Sequence, residues 1–136
     1  MNKLYSWVDA TFPAPQNEQH LIIQIKADLL NSKIIFYGSE DPRFAKEQPF
    51  ILTKLLRTPN INGVIFFTFD QFCYSDKFNL KLLNNIIINN LSIHFARENL
   101  SFFSSTDLER YYLQMISYFN NFQRNKQDIF EISKQI

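Results

Sequence analysis

The sequence is poor in glycine and cysteine. It has two glycines, Gly38 and Gly63, and one cysteine, Cys73, among 136 residues. Phosphate loops and dinucleotide-binding turns need clustered glycines, so P-loop and nicotinamide enzymes are excluded. One cysteine cannot form an intrachain disulfide, and with two separated histidines it gives no zinc cluster. The sequence also lacks a G-x-S-x-G motif, which disfavours a serine hydrolase.

The sequence also lacks an excess of charge and a long apolar run. Fourteen basic and 13 acidic side chains give a net charge of +1, which is no electrostatic footprint for duplex DNA or an anionic membrane. No apolar run approaches the ~20 residues of a membrane span, and the first residues lack the apolar run of a signal peptide. We therefore expect a soluble, cytoplasmic protein without nucleic-acid or membrane partners.

Apolar and aromatic residues are abundant, at 46% and 16% of the chain. This composition predicts one globular domain with an aromatic-rich core. Four β-rich runs recur along it: LYSWV at 4–8, KIIFYG at 33–38, GVIFFTF at 63–69 and LSIHFA at 91–96. The third is almost unbroken, as expected for a strand covered on both faces.

Helical patterns separate the four runs. The first begins near Pro15 and places Ile22, Ile25 and Leu29 on one face; others cover 49–57 and a segment from about 76 to 90. Alternation of strands and helices requires right-handed crossovers and a parallel sheet. We expect a three-layer α/β sandwich over residues 1–104, with a mostly parallel sheet of four strands, or five, in a flavodoxin-like or resolvase-like arrangement.

The C-terminal segment, 105–136, predicts one long helix that no strand follows. Thr106 and Glu109 fit a capping box at its start. Apolar residues then recur at spacings of four and three: Leu108, Tyr112, Met115, Phe119 and Phe122. Such a stripe either packs on its own sheet or forms a homodimer contact.

Polar residues follow each predicted strand, where ligands bind in open parallel sheets. They are Asp9, Gln16 and Gln19 after the first strand, Ser39, Glu40, Asp41 and Arg43 after the second, Thr68, Asp70 and Gln71 after the third, and Arg97 and Glu98 after the fourth. Because loops are polar in general, this convergence suggests a site without proving one.

Roles for these residues follow from their chemistry. Gln16 and Gln19 share a helix face and suit hydroxyl groups, unless they only complete a solvated first turn. Arg43 and Arg97 suit an anionic group, and Thr68 and Asp70 complete the candidate ligand-binding set.

The stretch SIHFAREN at 92–99 places a histidine inside a strand and a charged pair at its end. His94 titrates nearest to neutral pH, so with Glu98 and Glu40 it forms the candidate proton-transfer set. The alternative is a core histidine bonded to a backbone carbonyl. Neither a cofactor nor a metal ion is expected.

Four segments carry a resemblance to a known family: PQNEQHLII at 15–23, SED at 39–41, NGVIFFTF at 62–69 and IHFARENL at 93–100. Over about residues 4–100 the chain resembles the bacterial "sporadic carbohydrate cluster" proteins. Genes for that family lie among bacterial surface-polysaccharide and nucleotide-sugar genes, and the resemblance implies no settled activity. Our leading hypothesis is a cytoplasmic enzyme or enzyme-like protein that acts on a sugar or nucleotide-sugar intermediate of surface polysaccharide synthesis, by proton transfer or isomerisation without a redox cofactor. Trp7 departs from the pattern, since the family tends to carry an arginine there.

More distantly, the layout looks like the catalytic domain of serine recombinases, a parallel core followed by a long dimerising helix. Those enzymes need a serine nucleophile and arginines at the exit of the first strand, where this chain has Asp9 and Trp7. The resemblance therefore implies the fold and not DNA strand exchange. It leaves a second functional hypothesis, a non-catalytic dimeric binding or scaffold protein with a resolvase-like fold.

Overall fold

A computed structural model describes residues 2–10, 13–40, 50–72 and 80–135. In chain order the elements are β1 (Asn2–Asp9), α1 (Gln16–Leu29), β2 (Ser32–Glu40), α2 (Phe50–Arg57), β3 (Gly63–Phe66), a 3₁₀ turn (Phe69–Phe72), α3 (Leu80–Ile88), β4 (Ser92–Phe95), β5 (Leu100–Phe102) and α4 (Ser105–Gln135). The predicted alternation of strands and helices is confirmed.

The sheet has five strands in the order β2-β1-β3-β4-β5. The first four are parallel, and β5 pairs antiparallel with β4. From β1 the chain moves outward to β2 and then returns to β3 on the other side. The carboxyl ends of β1 and β3 therefore mark the switch point, which is where ligands of open α/β sheets bind.

The larger core cluster lies between the sheet and helices α2, α3 and α4. Its most buried aromatic residues are Phe66, Phe95 and Phe102. Leu108, Met115 and Phe119 of α4 pack into it and are 3%, 4% and 8% exposed. These three residues of the predicted stripe are therefore used by the protein's own core. Tyr112 of the same stripe is 40% exposed, and the side chain of Phe122 lies outside the described residues.

The start of α4 also differs slightly from prediction. The helix begins at Ser105, and the Ser104 hydroxyl accepts a hydrogen bond from the Asp107 amide at 3.4 Å. The Asp107 carboxylate in turn accepts one from the Phe103 amide at 2.8 Å. Ser104 and Asp107 thus do the capping that the sequence pattern assigned to Thr106 and Glu109.

The smaller core cluster lies between α1 and the opposite face of the sheet. Its strand residues include Leu4, Val8 and Ile65, and its helix residues are Ile23 and Ala27 of α1. The buried stripe of α1 is Gln19, Ile23, Lys26 and Ala27. The expected apolar face is instead exposed, with Ile22, Ile25 and Leu29 at 38%, 53% and 75%. The prediction failed because two of the four buried residues are polar.

Asparagine supplies the left-handed turn conformation that glycine usually provides. Asn31, Asn60, Asn90 and Asn99 have φ between 51° and 62°. The first three lie between a helix and the next strand, and Asn99 turns the chain from β4 into β5. Asparagine tolerates this conformation better than most residues, so a chain with two glycines can still make these turns.

Candidate functional site

The exit of β3 is joined to the end of β1 by Gln71. The Gln71 side-chain oxygen accepts a hydrogen bond from the Thr68 amide at 3.1 Å. Its side-chain nitrogen donates to the Trp7 carbonyl at 3.3 Å. Thr68, which is fully buried, is thereby fixed at the switch point of the sheet.

Glu98, in the turn between β4 and β5, reaches across to the same place. Its carboxylate accepts a hydrogen bond from the Thr68 hydroxyl at 2.5 Å. The Phe69 amide donates to both carboxylate oxygens, at 2.8 and 3.2 Å. Burial raises the pKa of Glu98, and the bonds from Thr68 and Phe69 oppose that rise because they stabilise the charged form.

Arg97 and Asp70 form the ion pair of the site. The Arg97 guanidinium donates to the Asp70 carboxylate at 2.9 Å and to the Thr68 hydroxyl at 3.3 Å. The Asp70 side chain is 8% exposed, whereas that of Arg97 is 48% exposed. Burial lowers the pKa of Arg97, but the bond to Asp70 and its charge outweigh burial and raise the pKa. The pair thus presents a half-exposed cation at the edge of the sheet.

Tyr118 connects α4 to this cluster. Its hydroxyl donates to the Asp70 carboxylate, and its ring meets Phe69 edge-on with centroids 5.4 Å apart. Burial and the bond to Asp70 both raise the pKa of Tyr118. We refer to Thr68, Asp70, Arg97, Glu98 and Tyr118 as the rim network.

The rim network ties two strand exits to a helix. Both carboxylates accept hydrogen bonds from neighbouring protein groups, at least one on each oxygen. A general acid or base must have hydrogen-bonding capacity directed at its substrate, whereas here the bonds on both carboxylates come from the protein itself. The geometry therefore favours positioning of α4, together with attraction of an anion at Arg97. Among the described residues, no three His, Cys, Asp or Glu side chains are grouped so that they could hold a metal ion.

Replacing Tyr118 with phenylalanine, which removes only the hydroxyl group, tests the link between α4 and the rim network. We expect Tyr118→Phe to lower the free energy of unfolding by about 1–3 kcal/mol, because it removes a hydrogen bond to a charged acceptor. Urea denaturation followed by circular dichroism measures the change. Tyr112→Phe is the matched control, since this α4 tyrosine is about as exposed, at 40% against 37%. Equal effects of the two substitutions would contradict a specific role for Tyr118.

Four of the predicted site residues come together in this network: Thr68, Asp70, Arg97 and Glu98. His94 does not join them. It is 2% exposed on β4, with Ser92 Oγ 2.9 Å from Nε2 and Ser101 Oγ 2.8 Å from Nδ1. His94 is therefore a buried core histidine, as in the alternative interpretation, but its ring contacts two serine hydroxyls and not a backbone carbonyl.

Of the remaining predicted site residues, Gln16 and Gln19 are described by the structure and do not face the same way. Gln19 is fully buried and its side chain donates to the Ala14 carbonyl at 3.0 Å, while Gln16 is exposed. The expectation that both present amides to a ligand is therefore wrong for Gln19. Glu40 ends β2, but its side chain lies outside the described residues, as does all of Arg43.

Tyr118 is the site residue that the sequence did not reveal. It falls outside the predicted stripe on α4, and its partner Asp70 lies 48 residues earlier in the chain. Nothing in the local pattern distinguishes it from the other tyrosines of the helix.

Comparison with known proteins identifies the architecture. No family model matches the chain, and neither does any curated protein. A solved structure, "Crystal Structure of the N-terminal Catalytic Domain of TP901-1 Integrase", superposes with a TM-score of 0.58 at 12% identity, covering 91% of this chain and 98% of that one. The fold is resolvase-like. At this identity the similarity concerns the fold alone.

The resolvase-like fold corrects part of the sequence interpretation. No finding supports the resemblance to the sporadic carbohydrate cluster family. The expected partners, a sugar or nucleotide-sugar ligand and no nucleic acid, are contradicted by a structural neighbour that is the catalytic domain of an integrase. No described helix of this resolvase-like domain is long and apolar enough to cross a membrane.

Proposed function

We propose that this resolvase-like domain is a non-catalytic module that associates with DNA and holds α4 in a fixed orientation for that purpose. The observation that carries the proposal is the rim network. At the switch point, where a catalytic α/β domain keeps reactive groups open to substrate, the polar side chains of this chain bond to one another and to α4.

The end of β1 supports the absence of strand cleavage. The resemblance to serine recombinases implies a serine nucleophile there, accompanied by arginine. In this chain the last residue of β1 is Asp9, and Trp7 is 5% exposed within the larger core cluster. The buried Trp7 indole supplies no cation for a phosphodiester at this strand end.

Two observations support association with DNA. The structural neighbour is named as part of an integrase, and integrases act on DNA. Arg97 is held by Asp70 yet remains half exposed, so its guanidinium can still donate hydrogen bonds to a phosphate. Contacts of this kind give affinity for the backbone without sequence preference.

Binding to a fluorescent 40-base-pair duplex tests the association. By fluorescence anisotropy we expect a dissociation constant on the order of 10 µM at 50 mM salt, weakening at least tenfold at 200 mM. Arg97→Gln should weaken binding about three- to tenfold and reduce the salt slope by about one. Arg57→Gln is the control, because Arg57 is an exposed arginine of α2. No anisotropy change at 100 µM protein would refute the association with DNA.

Incubation with supercoiled plasmid tests the absence of cleavage. We expect neither relaxation nor a covalent protein–DNA adduct on denaturing gels. Either product would refute a non-catalytic role, whatever the binding result.

A further inference from the structure

The outer face of α1 carries an apolar stripe that the described part of the domain leaves exposed. Leu21, Ile25 and Leu29 lie on successive turns and are 62%, 53% and 75% exposed, and the adjacent Ile22 is 38% exposed. Surface helices normally turn such residues inward. Contiguous exposed apolar patches on a domain mark interaction surfaces.

The helix is held to the sheet by its other side. Ile23 and Ala27, both fully buried, are the helix residues of the smaller core cluster, and the described parts of α2, α3 and α4 contribute none. The stripe therefore points away from the sheet, on the face opposite the layer that contains α4. It lies apart from the rim network and needs its own explanation.

We propose that the stripe is the contact for a second copy of this chain, with the two α1 helices antiparallel across a two-fold axis at Ile25. The pattern complements itself, since a leucine stands four residues before Ile25 and another four residues after it. In an antiparallel pair Ile25 meets its own copy, and Leu21 meets Leu29 of the partner subunit at both ends. A two-fold interface requires this reciprocity.

The exposed surface is adequate for the centre of such an interface. The exposed fractions of these four residues add up to more than two complete apolar residues per copy. A stable dimer buries about 800 Å² per partner, with an apolar centre and a polar rim. Glu18 and Asp28 are exposed beside the stripe and provide a polar rim. The Asp28 carboxylate accepts a hydrogen bond from the Gln24 side chain at 2.9 Å.

Electrostatics also favours a second copy as the occupant. The net charge of +1 gives little repulsion between identical chains. Antiparallel pairing places the positive N-terminal end of each α1 near the negative C-terminal end of the other. The α1 pairing uses none of the rim residues and is independent of DNA binding.

Sedimentation velocity from 1 to 100 µM tests the pairing. We expect the wild-type chain to reach dimer mass within this range. Ile25→Asp should weaken the dimer about 100-fold or more, because it places two carboxylates at the apolar centre of the interface. Leu56→Asp is the matched control, since Leu56 on α2 is 54% exposed, as Ile25 is at 53%. A monomeric wild-type chain at 100 µM, or an Ile25→Asp chain that still dimerises, would overturn the proposal.

A mixing experiment tests whether a second copy of the chain binds the stripe, and it distinguishes lost pairing from lost folding. The double variants L21K/L29K and L21E/L29E should each sediment as monomers, because like charges meet at both ends of the pair. An equimolar mixture should recover dimer mass, since the lysines of one chain then face the glutamates of the other. Failure of the mixture to associate, with both variants folded by circular dichroism, would overturn the pairing. These outcomes leave the DNA measurements unaffected.

Discussion

Lowering the pH from 7 to 4 is expected to cost this protein about 3 kcal/mol of unfolding free energy through His94 alone. Burial, followed by the charge of Lys26, lowers the pKa of His94 to about 4 from an ordinary 6.5. A base with a lowered pKa binds its proton more readily in the unfolded chain. Its contribution to stability is complete above pH 6.5 and is lost as the pH falls through 6.5 toward 4.

Urea denaturation at intervals of half a pH unit measures this loss. Carboxylates also make the unfolding free energy depend on pH. Glu98, whose pKa is raised, stabilises the folded chain as the pH falls, which is opposite to the effect of His94. The useful quantity is therefore the difference between the wild-type chain and His94→Gln, which keeps an amide for Ser92 and Ser101. We expect the unfolding free energies to converge by about 3 kcal/mol between pH 7 and 4. Parallel curves would show that His94 takes up its proton equally well in both states.

Phe95→Ala is expected to lower the unfolding free energy by about 3–5 kcal/mol, the largest effect among these substitutions. The Phe95 side chain is fully buried. Its ring centroid lies 5.5 Å from that of Phe66, 5.4 Å from Phe69 and 6.1 Å from Phe102. Removing the ring leaves a cavity among three other rings, which cannot close without moving two strands and the turn that carries Phe69.

Thermal and urea unfolding of Phe95→Ala at pH 7 measure this effect. Phe103→Ala provides a matched control, because Phe103 is 61% exposed and its ring meets that of His94 edge to face. We expect it to cost about 1 kcal/mol or less. Similar losses for the two variants would mean that the aromatic cluster repacks around a missing ring.

The sheet was the most predictable part of the fold. The apolar runs at 63–69 and 91–96 contain β3 and β4, and the alternation with helices required their parallel pairing. The fifth strand was allowed for without a location or direction. It contains three residues, Leu100–Phe102, which are too few to show a periodic pattern.

The orientation of α1 shows why periodicity can mislead. The helix has apolar residues on two sides, and its buried stripe includes Gln19 and Lys26, both of which find partners. The Lys26 ammonium donates to the Asn99 side chain at 2.7 Å, in the turn beyond β4. That contact spans 73 residues, so no local window of sequence contains the information that decides which side is buried.

The part of the candidate site that follows from strand order alone could be predicted from the sequence. Thr68, Asp70, Arg97 and Glu98 follow adjacent parallel strands, so they had to meet at one edge. His94 was assigned to the correct strand but not to its surroundings, because the two serines that bond its ring lie on β4 and on β5, whose position the sequence did not indicate. Tyr118 required knowledge of how α4 crosses the sheet, which a pattern within α4 does not contain.

The bond from Tyr118 to Asp70 ties α4 to the sheet near the middle of the helix and leaves a long segment beyond it. Its 31 residues span about 46 Å, and the 17 residues beyond Tyr118 extend about 26 Å past the anchor. A tilt of about 10° at the rim network would displace the far end of the helix by about 4–5 Å, on the order of one helical turn. In the proposed association with DNA, a phosphate at Arg97 would compete with Asp70, and Asp70 is also the residue that holds Tyr118, so binding there would act directly on the anchor of α4.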